Sequence, residues 1–207
     1  AWDDLPPFPF RVAIPSPTLY GQFPLDVTPG DIQAGLEAIG FDGVYDFSTE
    51  CEMVNLALND LLEDYRGRFP LISSSCAVVV RLIQVAYPEM VDQVVPIEPP
   101  REVAGQRARE HFARETGRPP EEIGTIYISP CPAKIVSVLE PAERVKSHLD
   151  GAVGISEIYN PLFHAITRLK DREREGRRVL PPMSRCELGW ATRGGQCRSL
   201  GADRFVS

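Results

Sequence analysis

The sequence predicts an α/β protein built on mostly parallel sheet, and three observations support this. Short β-branched runs alternate with segments of helical spacing along the chain. The strand-like run Ile126-Tyr127-Ile128 stops abruptly at Ser129-Pro130-Cys131-Pro132, the kind of turn that delivers side chains to the rim of an open sheet. At 207 residues the chain is long enough to bury a substantial core, either as one large domain or as two lobes.

Taken in order, the proline-rich start (Pro6, Pro7, Pro9) reads as an extended arm over residues 1–10. Phe10 to Ile14 is a first strand, closed by Pro15-Ser16-Pro17. The spacing of Ile32, Leu36 and Ile39 predicts a helix from Asp31, capped by Gly40. Val44 to Phe47 is a second strand. Ser48 or Thr49 caps the following helix, in which Met53, Leu56, Ala57, Leu61 and Leu62 recur at helical intervals. Phe69 to Ser73 is a third strand, running into Ser74-Ser75-Cys76. Ala77 to Tyr87 is helical and apolar almost all round, which predicts burial, and Pro88 ends it. Val94 to Pro100 is the expected crossing between lobes. A helix rich in Arg and Glu then runs from Pro100 to Thr116, with Gly117 as its stop. Strands over Gly124 to Ser129 and Gly151 to Ile155 follow, and Ser156-Glu157 opens a helix through Leu169. Residues 170–178 read as a solvated, charged helix end or loop. The expected organisation is an arm (1–10), a first lobe (11–95), a second lobe (96–180) and a C-terminal loop and tail (181–207). Each lobe is expected to hold a mostly parallel sheet flanked by helices, and the chain is expected to be a fragment of a longer protein.

Net charge is −7 and no basic stripe alternates with aromatics, which argues against nucleic-acid binding. No apolar run reaches the roughly 18 residues of a membrane span. Ala1-Trp2-Asp3-Asp4 does not read as a signal peptide. Five scattered cysteines (51, 76, 131, 186 and 197) without a dense disulfide pattern fit a reducing, cytoplasmic setting, where such thiols are buried, redox-active or metal ligands. Gly194-Gly195 lacks the lysine or fingerprint of a phosphate loop. The three histidines (111, 148, 164) lack metal-ligand spacing. Nothing chooses among Glu98, Glu102 and Glu157 as a general base.

Three cysteine loops, in this order and at these separations, resemble the catalytic-domain signatures of the iron-only ([FeFe]) hydrogenases. Ser73-Ser74-Ser75-Cys76-Ala77-Val78-Val79 stands where that family has Thr-Ser-Cys-Cys-Pro-x-Trp. Ser129-Pro130-Cys131-Pro132-Ala133-Lys134-Ile135-Val136-Ser137 stands for Met-Pro-Cys-x-x-Lys-Lys-x-Glu. The stretch from Cys186 through Gly189, Trp190, Gly194 and Gly195 to Gln196 stands for Cys-x-x-Gly-Cys-x-x-Gly-Gly-Gly-Gln. Leu36 to Val44 and Tyr87-Pro88-Glu89 also look like the family's connecting stretches, so the resemblance covers most of residues 10–197.

The resemblance implies a two-lobed domain whose cysteine loops meet in the cleft around a [4Fe–4S] cluster, bridged in the family to a two-iron centre. It makes Cys76, Cys131 and Cys186 cluster ligands, thiolates being soft anionic donors suited to iron–sulfur chemistry. It gives Lys134 the role of holding an anionic ligand. Departures then modify this expectation. The bridging position is Trp190, which has no donor for iron, and the proton-relay position is Ser75. Ser129, Ile135 and Ser137 replace the flanking methionine, the second lysine and the glutamate. These changes argue against a two-iron subcluster and against ordinary hydrogen turnover. They point to a divergent sensory or regulatory member whose partners are electron-transfer or signalling domains, in the same polypeptide or outside it. Cys197, next to Gln196, is the candidate for the lost fourth ligand, and Cys51 reads as a core thiol. A low-activity hydrogenase and a cluster-free binding scaffold stand as rival readings. Packing between lobes and filling of the two-iron volume remain equally open for Trp190, as do solvation and anion binding for Lys134.

Overall fold

The structure, a computed structural model, describes residues 5–67, 69–141 and 146–173. Four strands, β1 (Phe10–Pro15), β2 (Gly43–Val44), β3 (Ile123–Ser129) and β4 (Gly151–Gly154), form one parallel sheet in the order β2-β1-β3-β4. Seven α-helices accompany it among the described residues: α1 (Pro17–Tyr20), α2 (Pro29–Ala38), α3 (Ser48–Asp64), α4 (Ala77–Ala86), α5 (Pro100–Thr116), α6 (Pro132–Leu139) and α7 (Ile155–Glu173). None is long and apolar enough to cross a membrane.

β3 sits between β1 and β4, and all seven of its residues are buried, so it is the strand around which both faces close. The period of two sorts its side chains. Ile126 and Ile128 join Ala13, Leu36, Leu162 and Ile166 in a core beneath α2 and α7. Ile123 and Tyr127 join Val12, Ile14, Ala104, Ala108 and Phe112 in a second core on the other face, beneath α5. This two-sided burial explains the continuous apolar run in the strand. β1 continues to β2 on one side of the sheet, while β3 continues through α6 to β4 on the other. Strand order therefore reverses between β1 and β3, whose carboxyl ends are joined by the Ser16 N–H donating to the Ile128 carbonyl at 2.8 Å.

Local signals explain most helix boundaries. Thr28 and Asp31 form a reciprocal capping box at the start of α2, with the two hydrogen bonds at 3.1 and 2.7 Å. Gly117 stops α5 in the left-handed conformation at φ 70°. Gly105 allows α5 to approach the loop before β4, because a Cβ there would lie 2.9 Å from the His148 carbonyl oxygen.

Four expectations change. Strands drawn from residues 11–95 and 96–180 pair directly, so the described residues form one sheet instead of two. The expected strand over Phe69 to Ser73 reduces to a single parallel bridge between Ile72 and Val94. The second strand lies at Gly43–Val44, with Tyr45 to Phe47 outside it. Helix α4, expected to be buried, has only Ile83 buried, while Val78, Leu82 and Val85 are exposed. Apolar composition on all sides says what a helix can bury, and neighbours decide what it does bury.

Candidate functional site: two cysteines at the N-termini of packed helices

β3 ends at the point where strand order reverses, the position at which open α/β sheets place their ligands. Ser129, only 1% exposed, is its last residue, and its Oγ accepts the Cys131 N–H at 3.2 Å. Cys131 is the N-cap of α6 in an extended conformation (φ −100°, ψ 109°). Its carbonyl accepts the N–H groups of Lys134 and Ile135 at 3.1 and 3.2 Å. Pro132 follows at the first helical position, where its fixed φ helps and its missing N–H costs nothing.

Cys76 repeats this arrangement. It is the N-cap of α4 with φ −97° and ψ 101°, and its carbonyl accepts the Val80 N–H at 3.0 Å. The loop before it is lashed to the segment that follows α4. Ile72 donates to Gln93 O and accepts from Val95 N, both at 2.8 Å, and Ser74 Oγ donates to Ile97 O at 2.5 Å. α4 packs against α6. Two cysteines thus occupy equivalent helix-capping positions on neighbouring helices, and both are free thiols, Cys76 exposed and Cys131 half-buried. Helix N-termini present unpaired N–H groups and positive dipole ends, which favour anionic ligands.

Lys134 lies in the first turn of α6, half-buried, and makes no side-chain hydrogen bond or ion pair among the described residues. Ser75 lies beside Cys76, its N–H on Ser73 Oγ at 3.3 Å. Ser137 Oγ donates to the Lys134 carbonyl at 2.8 Å and accepts from Arg101 Nη2 at 3.4 Å. The position for which the resemblance implies a carboxylate is therefore a hydroxyl facing a guanidinium. Arg101 was not singled out from the sequence, because only the tertiary fold brings the start of α5 to α6. Cys51 is fully buried among the side chains beneath α3 and α5, as expected for a core thiol. Cys186, Trp190 and Cys197 lie outside the described residues. Among the described residues, no group of three or more His, Cys, Asp or Glu is arranged to hold a metal ion.

The fold and the two N-cap cysteines define a class: a parallel α/β domain with one cysteine at the switch end of its sheet and a second at the start of a helix packed against the first cysteine's helix. An [FeFe]-hydrogenase variant from Chlamydomonas reinhardtii has a similar fold, with a TM-score of 0.58 at 18% identity over 83% of this chain and 44% of that one. In sequence, the chain is 26% identical over 139 residues to iron hydrogenase 1 of Clostridium pasteurianum (66% of this chain, 23% of that protein). It is 25% identical over 130 residues to the NADP-reducing hydrogenase subunit HndD of Solidesulfovibrio fructosivorans (58% of this chain, 22% of that protein). The chain thus matches less than a quarter of the length of these last two proteins. Residues 10–201 match the model of the iron only hydrogenase large subunit, C-terminal domain, and the chain belongs to that family.

Proposed function

We propose that this hydrogenase-like domain binds a [4Fe–4S] cluster through Cys76, Cys131 and Cys186, with Cys197 as the fourth ligand. Its role is redox or gas sensing, or electron relay to a partner domain, in the cytoplasm, instead of hydrogen turnover. The observation that supports this reading best is the equivalence of Cys76 and Cys131. Two cysteines free of disulfides occupy the N-cap positions of two helices packed against each other, and one of them, Cys131, follows the end of β3 where open sheets bind ligands. The donor set fits the group: soft thiolates suit iron, and the helix ends oppose the negative charge that a thiolate-ligated cluster accumulates. When bound, such a cluster would supply one-electron chemistry. The chain's own residues would hold it, and Lys134 would place a positive charge beside its anionic sulfur.

Against hydrogen turnover stand the residues at the relay and second-lysine positions. Ser75 is a hydroxyl, a poor proton shuttle near neutral pH, and Ile135 is apolar. Half-buried Lys134, which makes no ion pair among the described residues, favours the enzymatic reading, because a cation in that setting suits an anionic iron ligand. Infrared bands from CO and cyanide on the reconstituted protein would establish that reading over ours.

The deciding measurement is iron and acid-labile sulfide after anaerobic reconstitution, with EPR spectra after reduction. We expect about four irons and four sulfides per chain, lost in Cys76→Ala and Cys131→Ala and retained in Cys51→Ala. A wild-type protein that holds no iron would leave only the cluster-free scaffold.

A further inference from the structure

The segment from Val94 to Glu102, which anchors the Cys76 loop, also forms one wall of a cavity of about 420 Å3. Its other walls come from Ser74, Ala77 and Val80 before and within α4, from Ser137 and Pro141 within and after α6, and from residues 146–148. Neither cysteine nor Lys134 lines it, although Ser74 and Ala77 of the Cys76 loop do. Most of the surface around it is aliphatic. Among the polar groups that interrupt it is a buried guanidinium with donors that no described residue satisfies.

Arg101 is 8% exposed. Its Nε lies 3.3 Å from Glu102 Oε1 as an ion pair, yet that buried N–H makes no hydrogen bond. Nη2 reaches Ser137 Oγ only at 3.4 Å. No other hydrogen bond from this guanidinium is formed among the described residues. A buried arginine with five donors is normally saturated by acceptors. Glu102 shows the contrast: its Oε2 accepts Ser147 Oγ–H at 2.7 Å and the His148 N–H at 3.0 Å. The carboxylate is held by the protein, and the guanidinium beside it keeps donors that no described residue accepts, in a roomy cavity.

We propose that this cavity binds a small organic monocarboxylate, its carboxylate on Arg101 and its apolar body against Val80, Val94 and Val95. The planar fork of arginine matches a carboxylate in two-point contact. The cavity size and its mostly apolar walls with a few polar groups suit a small molecule. Single charge follows from the neighbours. Glu98 and Glu102 share the wall with Arg101 and Lys146 and offset their positive charge, which leaves little to hold a second anionic group, and the His148 imidazole lies 3.7 Å from Glu98. The site stands whether or not the protein holds iron.

The test is calorimetric titration of the full chain with hexanoate, 1-hexanol and inorganic phosphate, with circular dichroism to confirm folding of each variant. Hexanoate should bind saturably, and the alcohol and phosphate roughly tenfold or more weakly, since the charge-assisted contact is absent or the charge is wrong. Arg101→Gln should weaken hexanoate by a similar factor, and Val80→Phe, which adds bulk to the cavity wall on α4 and leaves Arg101 unchanged, should abolish its binding. Absence of saturable hexanoate binding to the wild type would overturn the proposal, as would equal binding of the alcohol. So would undiminished binding in Val80→Phe, which decides the matter even if Arg101→Gln does not fold.

Discussion

Arg109 and Asp150 tie three elements together through one contact: Arg109 Nη2 on α5 lies 2.5 Å from Asp150 Oδ2, at the entry to β4. The same carboxylate oxygen accepts the Thr125 N–H at 2.9 Å and its hydroxyl at 3.2 Å, while Arg109 also donates to the Ile123 and His148 carbonyls. α5, β3 and the loop before β4 are therefore held by a single mostly buried pair, whose side chains are 23% and 12% exposed. Removing one partner leaves the other's charge and several backbone groups unpaired. Asp150→Ala should cost about 3 kcal/mol in urea unfolding. The double variant Arg109→Met with Asp150→Ala should recover part of that loss. If Asp150→Ala costs less than about 0.5 kcal/mol, the pair does not hold these elements together.

Tyr45 supplies a pH signature. Its hydroxyl donates to Glu50 Oε1 at 2.9 Å. Burial first, and then the Glu50 charge, push the phenol up to about 12 from an ordinary value of 10.0. The unfolded chain thus releases this proton near pH 10 while the native fold keeps it. The native state binds more protons in that window, so the stabilisation is present in full below pH 10 and is lost as pH rises towards 12. A fully buried phenol raised by this amount would contribute about 2.7 kcal/mol, and partial exposure of Tyr45 reduces this to roughly 1 kcal/mol. Tyr45→Phe should therefore flatten the fall in stability between pH 10 and 12. Identical slopes for variant and wild type would remove Tyr45 from the alkaline transition.

α4 separates composition from environment within three residues. Ile83 is 4% exposed and Val85 is 75% exposed on the same helix. Ile83→Ala should cost about 2–4 kcal/mol by losing buried area and leaving a cavity. Val85→Ala should stay within about 0.5 kcal/mol of wild type. A large loss at Val85 would mean that this face is covered in solution.

These contrasts show what the sequence could carry. β3 was readable because burial on both faces demands an unbroken apolar run, and Gly117 because only glycine settles readily at its positive φ. Cys131 was readable through its Pro-Cys-Pro punctuation. α6 was missed, although Pro132 just after Cys131 is a helix-start signal, because only eight residues follow the periodicity. The short Gly43–Val44 strand and the single Ile72–Val94 bridge left no pattern long enough to place them. The pairing of β1 with β3 joins segments assigned to different lobes, and Arg101 meets Ser137 across 36 positions. Neither contact leaves a local periodicity to read.

The thiols themselves offer a test that does not require activity. Cys76 is exposed, Cys131 half-buried and Cys51 fully buried in the core. Alkylation requires access and a thiolate, so a core thiol is inert until the fold opens. With iron-free native protein, iodoacetamide followed by peptide mass spectrometry should label Cys76 first, Cys131 more slowly and Cys51 only after denaturant is added. After anaerobic reconstitution, labelling of Cys76 and Cys131 should fall together, because one cluster would occupy both sulfurs, and Cys51 should stay as it was. Protection of Cys131 alone would show that the two helix caps do not share a ligand. Labelling of all three thiols at one rate in native protein would contradict the burial of Cys51 and with it the packing of α3 on the sheet.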